Sequence, residues 1–468
     1  MTTSAPFVVG IDLGTTHTAV AFAATSHGED DGTGSATQVL PIPQLVGRDA
    51  WQAEVLLPSF LYAIHESDGA TTTPLGDAAP GDWIVGHFAR TRGLDAPGRV
   101  IASAKSWLTH PTIDKHAAVL PPASIGDGPK LSPVEAQRRT LEHVRKAWDA
   151  AHPSSPLAEQ EVVLTVPASF DAAARDLTLE AARLAGLPRV TLLEEPQAAL
   201  YAWLAGKGPA WRKELTVGDV VLVIDVGGGT TDFSAIAVLE SGGSLVLERI
   251  AVGDHILLGG DNMDLALAHV AKSKLSANPP PDKWQELGLV HACRSAKEEL
   301  FAHPEKSAVP IAVIGRGAKL FGQGLRTELT RDEVDRTLME GFFPESRHEE
   351  MPRARTRAAL TQLGLPYAAD PGVTRHLAAF LTRQTTATER LEGFRGTRGA
   401  FLHPTRVLFN GGVMKADPLR RRVLDVLESW LAADGGLPAR ELGGADKDLA
   451  VARGAVAYGL ARRGRGVR

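Results

Sequence analysis

Cysteine is nearly absent from this chain: Cys293 is the only one in 468 residues. A lone thiol has no internal partner, so a disulfide-built scaffold is excluded and a reducing, cytoplasmic setting fits. There is no Cys/His cluster and no H-E-x-x-H, which argues against a zinc site. No apolar run reaches the ~18 to 20 residues that cross a bilayer, and M-T-T-S-A-P offers no basic start for a signal peptide, so no membrane association is expected. A net charge of only −5 gives no basis for nucleic-acid binding over the whole surface. G-x-x-x-x-G-K-[ST] is missing, and no G-x-G-x-x-G follows a strand-like run. Neither a Walker-type phosphate loop nor a dinucleotide fold is expected. With 44% hydrophobic and 22% charged residues the composition is ordinary for a globular protein, and the length suits about two to four domains or subdomains.

What stands out is Val220–Ile236, V-V-L-V-I-D-V-G-G-G-T-T-D-F-S-A-I. Its apolar start reads as a strand buried on both faces. The strand ends at Asp225, and Gly227, Gly228, Gly229, Thr230, Thr231 and Asp232 follow. A plain hairpin tip needs only one or two glycines. Three together, flanked by Asp and Thr, suit backbone amides that approach a phosphate with no Cβ in the way. Phe7–Leu13, then Gly14, Thr15 and Thr16, then a strand from Thr18 repeat the pattern, with Asp12 in the place of Asp225. An internally duplicated phosphate hairpin is the expected architecture. Two such hairpins facing each other clamp a polyphosphate, and their aspartates hold Mg2+ through its waters. Phosphoryl transfer then needs positioning and charge neutralisation rather than a covalent nucleophile.

Strands and helices alternate along the rest of the chain, which places it in the α/β class. Helices are expected over Ser132–Ala150, capped by Ser132, and over Phe170–Ala185, Gln197–Ala205 and Trp284–Phe301. Others are expected over Asp332–Met339, capped by Thr330, and over Arg355–Leu363, Thr374–Thr382, Pro418–Leu431 and Asp448–Leu460. Gly253–Asp264 reads as a Gly/Asp turn entering a helix capped by Asp261 or Asn262, a helix start suited to anions. Residues 26–37 and Thr71–Gly81 read as loops. Arg99–Leu108 reads as a helical segment carrying Lys105, and a lysine in such a place is by itself most often a snorkelling surface residue. Glu195, before Pro196, is either a helix-start carboxylate or one aimed at a metal-bound water.

Taken together and in order, V-G-I-D-L-G-T-T-H-T-A-V-A, L-T-V-P-A-S-F-D-A-A-A-R, L-L-E-E-P-Q-A-A-L, I-D-V-G-G-G-T-T-D-F-S, L-G-G-D-N-M-D and F-N-G-G-V span nearly the whole chain. They resemble the signatures of the DnaK-type seventy-kilodalton heat-shock chaperones. The resemblance implies an α/β, actin-like ATPase fold: two lobes, each with a mixed β-sheet flanked by helices, and a nucleotide cleft between them. Lobe I would take residues 1–217, with an insertion at about 44–131. Lobe II would take 218–468, with an insertion at about 256–329 and an atypical segment at about 344–397. ATP or ADP with Mg2+ would be the ligands, and slow hydrolysis the activity.

Carried over by position, Gly14, Thr15 and Thr16 would grip phosphate, and Asp12 and Asp225 would order the waters of the metal. Lys105 would position the attacking water, with Glu195 and Asp232 as carboxylates around it. Gly227, Gly228, Gly229 and Thr230 would form the second phosphate loop. Gly259 and Gly260, at the turn entering the helix, would bind the nucleotide, Lys297 would line the adenosine pocket, and Gly411 and Gly412 would turn beneath the nucleoside. Pro167 and Arg175 match a pair that passes the nucleotide state between lobes.

Four departures stand beside this match. Arg294 replaces a usual Glu, and Glu298 stands where an adenine-stacking Arg is common. Thr191 stands where many relatives carry an Arg used by J-domain partners. No linker and no peptide-binding β-sandwich are expected after Leu460. The chain therefore reads as an ATP-hydrolysing, chaperone-type switch that acts through a separate client-binding or co-chaperone protein. A sugar-type kinase of the same superfold or a filament-forming relative are the alternatives.

Overall fold

The computed structural model describes residues 5–465, apart from 26–35, 123–127, 242–243, 276–279, 314–323, 354–364, 390, 392 and 445. The loop read over 26–37, except residues 36 and 37, and the helix read over Arg355–Leu363 lie outside the described residues. Two mixed sheets organise the chain, and they are built alike. The first contains β1 (Phe7–Leu13), β2 (His17–Ala24), β3 (Glu161–Val166) and β4 (Val190–Glu194), in the order β4-β3-β1-β2. The second contains β5 (Val220–Val226), β6 (Thr231–Ser241), β7 (Ser244–Val252), β8 (Arg406–Asn410) and β9 (Arg440–Glu441), in the order β7-β6-β5-β8-β9. In each, an antiparallel hairpin (β1-β2, β5-β6) is followed by strands that add in parallel to its first member. The duplication read from the two Asp–Gly/Thr turns is therefore a duplication of whole sheets.

Each sheet carries helices in the same succession. α1 (Pro133–Ala151) precedes β3, α2 (Ala172–Leu184) follows it, and α3 (Glu195–Lys207) follows β4. In the second half, α4 (Gly260–Ser273) and α5 (Lys283–Ala302) come first, then α6 (Val373–Arg383) before β8, α7 (Asp417–Ala433) after it, and α8 (Ala450–Arg462) after β9. Every residue of β5 is buried, as its unbroken apolar run requires of a strand covered on both faces. α3 and α8 lie between the sheets, sharing one core cluster with Val163 of the first and Val221, Val223 and Leu408 of the second. A Cβ at Gly454 would overlap the Ala198 carbonyl, so this small residue sets how closely the two helices cross. No helix among the described residues is long and apolar enough to cross a membrane.

Local signals and outcomes agree where the chemistry is short-range. Ser132 Oγ accepts from the Glu135 amide at 3.1 Å, and Thr330 with Glu333 closes a reciprocal cap. Three expectations are corrected. Thr71–Gly81 contains a small hairpin, Thr71–Thr73 with Gly76–Ala78, because its β-branched run pairs across a Gly76 at φ +119°. Arg99–Leu108 is not one helix: Val100–Ile101 is a strand held by Leu61 and Tyr62, and a 3-10 turn, Ala104–Thr109, follows. The start of α4 lies at Gly259 rather than at Asp261 or Asn262, and Asn262 Oδ1 reaches back to accept from the Gly259 amide at 2.9 Å.

Candidate functional site

The two hairpins meet tip to tip. A Cβ built on Gly228 would lie 2.7 Å from Thr16 Cγ2, and one on Gly229 would lie 2.7 Å from Ser106 Oγ and 2.9 Å from Thr15 Cγ2. Only glycine permits that approach. Thr15 and Gly229 make no hydrogen bond to any described residue. Gly227 and Thr230 close the second turn on themselves, with the Gly227 amide donating to the Thr230 carbonyl at 2.9 Å. The first turn is held from outside, the Gly14 carbonyl accepting from Ser59 Oγ at 2.8 Å.

Beneath the tips lies an acidic floor, assembled by register. Residues paired across neighbouring strands stand on the same face of a sheet. Asp225 is paired with Asp232 on one side and Asn410 on the other, and Asn410 Nδ2 donates to Asp225 Oδ2 at 2.7 Å. In the first sheet Asp12 accepts from Thr165 Oγ1 on β3 at 3.3 Å. Lys105 and Glu195 arrive from the 3-10 turn and the start of α3, with Nζ to Oε1 at 2.5 Å. Lys105 is 5% exposed, so it is no snorkelling surface residue.

Lys105 is thus the ammonium that pairs with Glu195 and draws on Asp12, while Asp225 stands among Glu195, Asp232 and Asp12. Burial pushes Asp12 from 3.8 up to about 7, with Glu195 repelling it and Lys105 pulling the other way. Asp225 is pushed well above the carboxylate range, by burial first and then by Glu195, against the hydrogen bond from Asn410. A floor in this state is short of positive charge.

Asp232 is held from a side the sequence does not advertise. Ser169 Oγ donates to Asp232 Oδ1 and lies 2.7 Å from His255 Nδ1, which assigns the N–H to Nδ1. Ser106, beside Lys105, is 2% exposed and its hydroxyl has no partner among the described residues. Thr165, Ser169, His255 and Ser106 escape sequence reasoning because they are short, common residues made neighbours only by folding. Asn410 was visible in F-N-G-G-V, directly before the glycines.

Gly259 and Gly260 sit against the second loop, but their amides are engaged. Gly260 N–H donates to the Gly227 carbonyl at 3.0 Å, and Asp261 N–H to the Gly228 carbonyl at 2.7 Å. The helix start braces the loop rather than offering free donors. Further out, Lys297 Nζ lies 2.7 Å from Asp264 Oδ1 and 3.5 Å from the Gly260 carbonyl. Arg294 bridges Asp261 at 2.5 Å and Asp264 at 2.6 Å. Lys297 and Arg294 hold Asp264 below the ordinary carboxylate range despite its burial. Glu298 pairs with Arg90 at 3.0 Å, so an arginine is present at this end, though it comes from the opposite side of the cleft. Gly411, at φ +84°, turns beside Asp225, and Gly412 opens the short turn Gly412–Lys415. Arg175 joins Glu194 at 2.8 Å, and Arg249 of β7 shares that carboxylate, tying the two halves together. Thr191 accepts from Arg462 of α8 at 3.2 Å.

Comparison with known proteins bears on this geometry. The family profile described as "Hsp70 protein" matches residues 85–348. A chaperone protein HscA homolog of Bordetella pertussis is 29% identical over 442 residues, covering 91% of this chain and 60% of its own length. That of Bordetella petrii is 29% identical over 439 residues with the same coverage, and that of Burkholderia mallei is 31% identical over 313 residues. The chain thus spans 60% of the length of the two Bordetella relatives. With more than half of its residues inside the family profile, the chain belongs to the Hsp70 family, and its two like-built sheets are the halves of the actin-like ATPase fold.

Proposed function

We propose that this chain binds ATP or ADP with Mg2+ between the hairpin tips and hydrolyses ATP. The nucleotide state would move the lobes, and the chaperone work would be done with a separate client-binding or co-chaperone partner. One observation carries this reading: two register-matched hairpins meet tip to tip over four carboxylates and a buried lysine. The cleft suits a hydrated cation. No three His, Cys, Asp or Glu side chains among the described residues converge to grip a metal directly, whereas Asp12 and Asp225 are acceptors for metal-bound water. Mg2+, when bound, supplies charge neutralisation on the phosphates.

The chain's own residues do the rest. Thr15, Thr16 and Gly227 to Thr230 approach the phosphates through backbone, and Gly14 shapes the first tip. Lys105, oriented by Glu195, neutralises charge that develops on the transferred group and aligns the attacking water. Asp232, held by Ser169, accepts a hydrogen bond from that water. Lys297, Gly411 and Gly412 line the nucleoside end, and Gly259 and Gly260 keep the second loop in place. The lobes touch around the cleft through separate polar links, among them Arg249 to Glu194 and Arg90 to Glu298, which suits a hinge biased by the cleft's contents.

Phosphate release from ATP, compared with Lys105→Ala, tests this. Loss of the lysine should lower kcat on the order of 100-fold while nucleotide still binds. No release by the unmutated protein would sink the hydrolase reading, and release only with an added sugar would favour a kinase.

A further inference from the structure

Ser103 is the only non-glycine residue at positive φ among the described residues, at φ +53° and ψ +30°. A residue with a Cβ does not rest in that left-handed region unless its surroundings hold it there. Ser103 opens the turn Ala104–Thr109, which carries Lys105 and Ser106, yet its hydroxyl caps no amide of that turn. It donates across the cleft to Asp261 Oδ2 at 2.6 Å. Asp261 is fixed in turn. Its Oδ1 accepts from Arg294 at 2.5 Å, Arg294 is anchored on Asp264 at 2.6 Å, and the Asp261 amide donates to the Gly228 carbonyl of the second loop at 2.7 Å. Both Asp261 and Arg294 have side chains only 11% exposed.

We propose that Ser103 and Asp261 form a latch across the cleft, braced by Arg294, that sets Lys105 in its working position only when the lobes are closed. Asp261 grips the loop with its amide and the lysine turn with its carboxylate, so loop, lysine and lobe closure depend on one residue. When the lobes part, Ser103 loses its acceptor, the left-handed conformation is no longer held, and the turn relaxes and takes Lys105 with it. Ser103 and Asp261 are positioning residues. The unusual Arg294 acquires a reason here: it compensates two buried carboxylates and fixes the one that makes the latch. The latch presupposes the ATP-hydrolysing function proposed above.

Two substitutions test it. Ser103→Ala removes the donor and leaves a residue averse to positive φ. Ser103→Asn keeps a donor and tolerates that region, and Ser103 borders a cavity of ≈ 100 Å³ that gives the larger side chain room. Single-turnover ATP hydrolysis, nucleotide affinity and amide exchange over residues 104–109 are measured on all three proteins. Ser103→Ala should hydrolyse on the order of tenfold more slowly, bind nucleotide within about twofold of the unmutated affinity, and exchange faster over 104–109. Ser103→Asn should restore both rate and protection. Unchanged protection in Ser103→Ala, or an unchanged rate in a chain that hydrolyses ATP, overturns the latch. Faster exchange in Ser103→Ala, in a chain that does not hydrolyse ATP at all, removes the hydrolase reading and supports the latch as a closure device.

Discussion

Replacing Asp12 by Asn separates what its buried charge does to the fold from what it does in the cleft. In the nucleotide-free protein burial holds Asp12 at about 7 against an ordinary 3.8. Between those values the folded state keeps a proton that the unfolded chain has released. The stability Asp12 contributes is therefore fully present below its unfolded pKa and is lost as pH rises through its folded one. The whole interval corresponds to roughly 4 kcal/mol at ~1.4 kcal/mol per tenfold. Asp12 is only part-buried, however, and water at the cleft floor reduces this to roughly 2 kcal/mol. Asn is neutral throughout, and its Oδ1 can still accept from Thr165, whose hydroxyl lies 3.3 Å from the native carboxylate. Loss of the charge at position 12 also relieves Asp225, which it repels.

Without nucleotide, Asp12→Asn should therefore melt roughly 2–5 °C above the unmutated protein at about pH 8. The gap should close as pH falls toward about 4. With Mg2+ and ATP the order should reverse, because the cation rewards the ionised carboxylate that the variant lacks. Thermal melts at several pH values, with and without Mg2+ and ATP, check both halves. An Asn variant that melts lower than the unmutated protein at about pH 8 without nucleotide would refute the reasoning.

Two further outcomes follow from the geometry. Gly411→Ala, at φ +84°, would press a Cβ onto the Val226 carbonyl and to 2.6 Å from Asp225 Oδ1, so it should destabilise by about 2–4 kcal/mol. A melting temperature equal to that of the unmutated protein would count against the placement of this turn. Burial pushes the Cys293 thiol up to about 12 and leaves it 0% exposed, so a thiol reagent should label it far more slowly in the native protein than after denaturation. Equal rates would mean that α5 opens freely.

Much of the architecture was legible because its signals are local. An apolar run ending in Asp and a Gly/Thr turn encodes a strand and its hairpin within about fifteen residues, and it occurs twice. Ser132 and Thr330 announced their helices because a side-chain oxygen satisfies an amide only three residues away. Reading failed where the deciding contact was distant. Arg99–Leu108 has a helix-like mix of residues, but Leu61 and Tyr62 draw Val100–Ile101 into a sheet. Asp261 looked like a cap, but Arg294 and Ser103 claim its carboxylate.

By itself, then, the sequence determined the α/β class and the two hairpins whose first strands carry Asp12 and Asp225, because periodicity and turn chemistry act over short stretches. Lys105, Glu195 and Asp232 were singled out only by the family resemblance. Only the tertiary structure decided that these residues meet on one floor, that the first amides of α4 are already engaged by the second loop, that Arg294 fixes Asp261 and Asp264, and that Glu298 pairs with Arg90. Charge and burial are properties of neighbours brought from far along the chain, and no local pattern carries them.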